Sequence, residues 1–410
     1  MREVLTELLA WWRAGESVGV GTVVATWRSA PRPAGASMLV GPAGQAVGSV
    51  SGGCVEGALY ELASGVVGTG VPVLERYGVS DDEAAAVGLT CGGILDVFVE
   101  KVDQQTFPEL EQVAEDVAAE RPVAVCTLIA HPDGVLVGRR LLVRPSDEAG
   151  PSDEAGSSDE AEPGRGLGSG PELGPGQGLG SGQGLGSPRL DAAVLADARG
   201  LLAAGHSETI EYGPEGQRRG EGARVFVAAI APRPRMIVFG AIDFAAALAR
   251  TGSFLGYRVT VCDARPVFAT ASRFPEADEV VVDWPHRYLA AQAQAGALDG
   301  RTVLAVLTHD PKFDVPLLEV ALRLPDLAYV GAMGSRRTHA DRVARLREAG
   351  VSEAELARLS APIGLDLGAR TPQETAVSIA AEIIALRWGG SGRRLSEVDG
   401  PVHHEDGRPG

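Results

Sequence analysis

The sequence predicts an α/β protein in two parts: an N-terminal α+β module and a C-terminal, Rossmann-like doubly wound parallel sheet. Three observations carry that expectation. From Pro234 onward, apolar strands alternate with helical stretches, as in a parallel sheet covered on both faces. Before that point, strand pairs flank tight turns, Gly41-Pro42-Ala43-Gly44 and Pro132-Asp133-Gly134, as antiparallel hairpins do. Within the N-terminal part, residues 145–188 break into acidic and glycine-rich repeats with almost no apolar side chains.

An amphipathic helix is expected over Arg2–Ala14, ended by Gly15. VGVGTVVATW at 18–27 reads as a buried strand, and 36–40 with 45–50 as a hairpin. A short helix is expected from near Cys54 to Ala63, a strand at 94–100 and a helix at about 106–120. Strands at 123–131 and 135–144 form the second hairpin. After the break come a helix near 190–204 and strands near 207–212 and 224–230, read as returning to the first module. The first domain is therefore 1–144 continuing at about 189–232, the insert 145–188, the second domain 233–390 and the tail 391–410. In the second domain, strands fall at 235–240, 257–263, 279–283, 302–310 and 327–333, with a helix through 244–251 after the first. The last helix has a strong start: Thr371 as N-cap, Pro372 in the first turn and Glu374 completing a capping box.

The insert holds 13 of the 54 glycines, and its eight acids against Arg165 contribute −7 of the net charge of −17. With so little to bury it is expected to be disordered, a tether of roughly 35–40 Å end to end. Acidic residues outnumber basic ones, 54 to 37, which argues against nucleic acid as a partner. Four cysteines (54, 91, 126 and 262) with no C-x-x-C pair suit a reducing compartment and exclude a zinc ribbon or disulfide scaffold. The first residues lack the basic and apolar blocks of a secretory leader, and no apolar run nears the roughly 18 residues that span a bilayer. A cytoplasmic protein without a membrane span is expected.

Two thiols stand out. Gly52-Gly53-Cys54 sits where a strand gives way to a helix, with Glu56 beside it as a candidate acid; Cys91 is followed by its own glycine pair. Glycines let a ligand approach the backbone, and a helix N-terminus favours thiolate. The pair reads as a soft-metal or sulfur site, against the alternative of two small residues in tight turns. Cys126 and Cys262, inside apolar strands, read as core. The first turn of the second domain, Gly240-Ala241-Ile242-Asp243-Phe244-Ala245, is a damaged G-x-G-x-x-G. Ile242 occupies the position of close phosphate approach, and Asp243 adds negative charge there or serves as an N-cap, so NAD(P) in its usual mode is disfavoured. Asp263, ending the next strand, stands where a ribose-binding acid belongs. The later loop with Gly331, Gly334, Ser335, Arg336 and Arg337 combines glycine, a helix start and guanidinium groups into an anion cradle, or else a plain turn before a solvated helix. His309 and Asp310 end a strand on the edge where open α/β sheets bind ligands, and Asp366, Gly368 and Arg370 lie in another glycine-containing loop.

GSVSGGCVEGAL (48–59), GLTCGG (88–93), THDPKFDVPLL (308–318), YVGAMGSRRT (329–338) and PIGLDLGARTPQETAVSIAAEI (362–383) together resemble the XdhC/CoxI family of molybdenum hydroxylase accessory proteins. The resemblance implies a chaperone that binds the molybdenum–pterin cofactor, supports its sulfuration and delivers it to an apo-hydroxylase of the xanthine or CO dehydrogenase type. It implies Cys54 and Cys91 as metal ligands, the Gly334–Arg337 loop at the pterin phosphate, and a cysteine desulfurase as second partner; a homodimer is left open. The departure is at 240–245, where the family's G-A-G-H-V-A reads G-A-I-D-F-A. Two alternatives stand beside this reading: an NAD(P)-dependent oxidoreductase, and a docking partner of the hydroxylase that binds no cofactor.

Overall fold

The structure, a computed structural model, describes residues 1–27, 30–78, 93–147, 184–218, 220–308, 310–325 and 327–399. Most of the acidic insert, whose disorder the composition predicts, lies outside the described residues. The chain forms two compact units, Met1–Pro232 and Arg233–Gly410.

The first unit opens with a 3₁₀ turn (Arg2–Val4) and α1 (Leu5–Arg13), then β1 (Val18–Trp27), β2 (Ser37–Val40), β3 (Ala46–Gly48), α2 (Glu56–Thr69), β4 (Val73–Tyr77), β5 (Ile94–Val102) and α3 (Leu110–Ala118). It continues with β6 (Val123–Ala130), β7 (Arg140–Val143), α4 (Pro188–Ala204), β8 (Glu208–Tyr212) and β9 (Ala223–Ile230). Two antiparallel sheets result, ordered β3-β2-β1-β5-β4 and β7-β6-β9-β8. They share a core with α1 and α3, in which Val18, Val20, Phe98 and Val102 meet Val123, Val125, Leu142 and Phe226. The period-2 alternation of strands sends the other side chains of the first sheet, Val23, Val97 and Val99 among them, toward Leu59, Ala63 and Val66 of α2. Two glycines of β1 admit that helix: a Cβ at Gly19 would stand 2.8 Å from the Ala63 carbonyl oxygen, and one at Gly21 2.8 Å from the Leu59 side chain. Leu190, Val194 and Leu202 of α4 cover the second sheet in the same way.

Among the described residues of this unit, buried charges are paired. Glu100 on β5 meets Arg140 on β7 at 2.5 Å, both almost fully buried, and Asp116 of α3 takes Arg121 and Arg144 at 2.8 Å each. Asp96 binds Arg76 through both oxygens, at 2.6 and 2.9 Å.

The second unit runs β10 (Arg235–Phe239), α5 (Asp243–Phe254), β11 (Arg258–Asp263), β12 (Glu279–Val282), α6 (Pro285–Gln294), β13 (Val303–Val306), α7 (Pro311–Arg323), β14 (Tyr329–Ala332), α8 (Arg336–Glu348), α9 (Glu353–Leu356), β15 (Leu359–Ser360) and α10 (Pro372–Trp388). All neighbouring strands are parallel, in the order β12-β11-β10-β13-β14-β15. Counted within the unit, that is the doubly wound order of a Rossmann fold, with its topological switch between β10 and β13. Leu248, Ala249, Ile379 and Ile383 of α5 and α10 cover one face; Leu289, Leu317, Leu318 and Leu346 of α6, α7 and α8 cover the other. The capping box at Thr371 and Glu374 forms as its spacing predicts.

Several elements differ from expectation. β4 and β15 have no counterpart in the sequence reading, being an edge strand of five residues and a strand of two. The helix after Cys54 starts at Glu56 and continues to Thr69. β6 and β7 do pair, but a 3₁₀ turn at Gly134–Leu136 lengthens the connection beyond a tight hairpin. The N-cap of α5 is Ile242, not Asp243, which is instead the first helical residue and lies 3.3 Å from Arg273. Among the described residues, no helix is long and apolar enough to cross a membrane.

Candidate functional site

The loop from Ser49 to Val55 is built around one carboxylate. Glu56, the first residue of α2, folds back so that Oε1 accepts from Ser49 Oγ (2.7 Å), Val50 N (3.2 Å) and Ser51 N (2.9 Å). Its Oε2 accepts from Ser51 Oγ (2.5 Å), Gly53 N (2.8 Å) and Val55 N (3.2 Å). Burial opposes the charge, but the Ser51 and Ser49 hydroxyls and the backbone donors outweigh it and hold the Glu56 pKa down at about 2. The candidate acid is thus fully engaged by its own loop as a fixed anion.

That engagement presents the thiol. Gly52 (φ +78°) and Gly53 (φ +119°) adopt backbone that L side chains rarely take, and nothing stands within 4 Å of where their Cβ atoms would be. Both are exposed, and Cys54 follows them half-buried, two residues before the helix. The arrangement leaves a sulfur beside bare backbone, a seat a ligand can approach closely. Cys91, its expected companion, lies outside the described residues. Among the described residues no group of three or more His, Cys, Asp or Glu side chains is placed to hold a metal ion. Cys126 and Cys262 are fully buried; burial pushes both thiols up, Cys262 to about 12.

The second unit gathers its candidates at the carboxyl edge of the sheet. Ser335 caps α8 by accepting from Thr338 N at 3.1 Å, and Ser335, Arg336 and Arg337 are exposed. Gly334 has φ +149°. Gly331, however, is buried inside β14: a Cβ there would stand 2.5 Å from the Tyr329 ring and 2.6 Å from Ile363, so its smallness serves packing. The adjacent strand, β13, ends at Val306 and not at the expected Asp310; Asp310 instead caps α7 through Lys312 N at 3.1 Å, and that bond together with the Lys312 ammonium lowers its pKa. His309 lies outside the described residues. At the first turn of the unit, Asp263 accepts from Ala241 N at 2.7 Å and binds Arg265 through both oxygens, at 2.9 and 2.7 Å.

The model of the XdhC and CoxI family matches residues 11–78, and that of the XdhC Rossmann domain matches 236–383, together just over half of the chain. The chain belongs to the XdhC/CoxI family. It is 27% identical over 374 residues to a Bacillus subtilis protein named as a probable xanthine dehydrogenase subunit, covering 91% of this chain and 94% of that one. It is 24% identical over 374 residues to the molybdenum cofactor insertion chaperone PaoD of Escherichia coli, covering 91% and 85%. In fold, it matches a protein from Bacillus halodurans described as a xanthine dehydrogenase, with a TM-score of 0.62 at 23% identity over 96% of this chain and 97% of that one.

In this XdhC/CoxI protein the structure also picks out residues that the sequence reading passed over. Thr308 Oγ1 donates to Asp314 Oδ1, and Asp314 Oδ2 accepts from Arg342 Nη2 at 2.9 Å. The same Nη2 donates to the Met333 carbonyl at 2.8 Å. This buried chain ties the loop after β13 to the loop after β14. No local pattern could have shown it, since Asp314 and Arg342 are 28 residues apart and each reads as an ordinary helix charge. Ser49 and Ser51 were passed over too: they stand seven and five residues before Glu56, which is not the spacing of a capping box.

Proposed function

We propose that this protein carries the molybdenum–pterin cofactor as cargo and supports its sulfuration and insertion into a molybdenum hydroxylase of the xanthine or CO dehydrogenase type. The observation that carries the reading is the Ser49–Glu56 loop, which sets one half-buried thiol beside two glycines with open space around them. Thiolate sulfur suits a soft metal and also accepts and passes sulfane sulfur, so Cys54 fits either a ligand or a relay role. The membership in the family and the name of the Escherichia coli relative support the cargo; Cys91 is assigned as second thiol by its Gly-flanked motif alone. At the second unit, Gly334, Ser335, Arg336 and Arg337 suit the phosphate of the pterin, through exposed guanidinium groups and the start of α8. Asp310 serves that edge as a helix cap, and Glu56 serves the thiol loop as its organiser. The partners in this reading are the apo-hydroxylase and a cysteine desulfurase.

The test is molybdenum and pterin content per chain after anaerobic incubation with the cofactor and desalting. Near-stoichiometric retention that falls in Cys54→Ala, and separately in Arg336→Ala with Arg337→Ala, is the expected result. Retention unchanged in all these variants would sink the assignment. No retention by the wild type, together with binding to the apo-enzyme, would favour the docking-partner alternative.

A further inference from the structure

We infer that Arg342 reads an anion: its guanidinium, lying behind the Gly334-Ser335 turn, donates to an oxygen of a phosphate-type group held at the start of α8. The inference rests on the assignment of this loop as a phosphate site and adds to it the residue that gives the site direction.

Arg342 and Asp314 side chains are each only 3% exposed. Nη2 of Arg342 is used twice, on Asp314 and on the Met333 carbonyl. Nη1 is equally buried and has no acceptor among the described residues. One turn earlier, on the same side of α8, His339 Nδ1 is also buried and has no partner among the described residues. Buried donors almost always find acceptors, so the spare N–H of Arg342 marks a place where an acceptor from beyond the described residues belongs; His339 Nδ1 beside it donates or accepts according to its tautomer.

The neighbouring backbone turn lies close against the same guanidinium. A Cβ on Gly334 would stand 3.6 Å from Arg342 Nη2 and 3.2 Å from the Thr338 side chain, so a side chain there would press on both. Ser335 satisfies the Thr338 N–H, which leaves the N–H groups of Arg336 and Arg337 in the first turn of a 13-residue helix for an outside acceptor. The roles then divide. Arg336 and Arg337, exposed and without ion pairs among the described residues, supply net charge. Arg342 is already balanced by Asp314, which the Thr308 hydroxyl holds in turn, so it supplies a fixed donor rather than net charge.

The experiment measures inorganic phosphate binding to the full chain by equilibrium dialysis at several salt concentrations. Arg342→Lys is expected to weaken binding by about tenfold or more with little change in salt dependence. Arg336→Ala with Arg337→Ala is expected to flatten the salt dependence instead. Wild-type binding by an Arg342→Lys protein that melts normally, or no phosphate binding by the wild type, overturns the inference. If Arg342→Lys fails to fold, two routes remain. One is Asp314→Asn with Arg342→Gln, which removes both charges together. The other is a wild-type crystal structure with phosphate, in which an oxygen within about 3.2 Å of Nη1 supports the proposal. Water alone at that point, or phosphate elsewhere, refutes it. Arg342-dependent phosphate binding without molybdenum retention would sink the cargo reading and leave this inference standing; retention with phosphate binding indifferent to Arg342 would do the reverse.

Discussion

Replacing Glu56 with Gln should both destabilise the first unit and loosen the thiol loop. The carboxylate accepts six hydrogen bonds from Ser49, Val50, Ser51, Gly53 and Val55. Glutamine offers one oxygen in place of two and turns its NH₂ toward donors. The fall of the Glu56 pKa from 4.5 to about 2 corresponds to at most ~3 kcal/mol of preference for the charged form in the fold. The group is half-buried, so solvent screening reduces the expected loss to ~1–2 kcal/mol. For a unit of this size that lowers the melting temperature by roughly 3–6 °C. The folded pKa is the depressed one, so this stability is present in full above about 4.5 and disappears as the pH falls toward 2. Differential scanning calorimetry of wild type and Glu56→Gln at pH 7 and through that window reads the effect directly. Cys54 should also react faster with a disulfide reagent in the variant. Equal melting temperatures at pH 7, or a gap that does not narrow on acidification, would refute the account of the loop.

Gly19→Ala should cost ~1–3 kcal/mol in thermal or denaturant unfolding, because its Cβ meets the Ala63 backbone oxygen at 2.8 Å and α2 must move off the sheet. Asp314→Ala leaves a buried guanidinium unpaired and should destabilise the second unit by ~3–5 kcal/mol, whereas Asp310→Ala, which removes a cap at the surface, should lower the same melt far less. Native-state alkylation followed by peptide mapping should label Cys54 and spare Cys126 and Cys262, which are fully buried. A titration with NADH should show no saturable binding in the micromolar range; a saturable curve would restore the oxidoreductase alternative.

What could be read in the sequence was whatever leaves a periodic or local trace. The strands at 18–27 and 123–130 are apolar runs between turn residues, and the start of α10 is announced by Thr371, Pro372 and Glu374 within four positions. β4, by contrast, spells Val-Leu-Glu-Arg-Tyr, with two charges in five residues; its place at the sheet edge makes that tolerable and also hides it. The thiol loop was half legible. Gly52, Gly53 and Cys54 declared a special backbone, but that Glu56 turns back to bind the loop is a matter of rotamer and donor direction, which composition does not encode. The Thr308–Asp314–Arg342 chain was hidden because its members meet through the packing of α7 on α8, not through spacing in the chain.

The altered first turn of the second unit now has a physical account. In a dinucleotide-binding turn, the backbone N–H groups, the acid ending the second strand and the helix start all face the ligand. Here they face one another. Ala241 N–H goes to Asp263 at 2.7 Å, and Arg265 takes both oxygens of that acid. Asp243, standing at the positive end of α5, is met by Arg273 at 3.3 Å, whose Nη1 also donates to the Ala241 carbonyl at 3.2 Å. Two acids and two arginines thus neutralise each other at the seat where pyrophosphate would rest, and a nucleotide would have to break those pairs before making its own contacts. The loop before α8 is the opposite case: its two exposed arginines have no acid partner among the described residues, and the buried guanidinium behind them retains an unused N–H. Along a single sheet edge, the charge that a ligand could use has been cancelled at the first turn and kept at the later one, which is why an anion is assigned to Gly334–Arg337 and not to Gly240–Ala245.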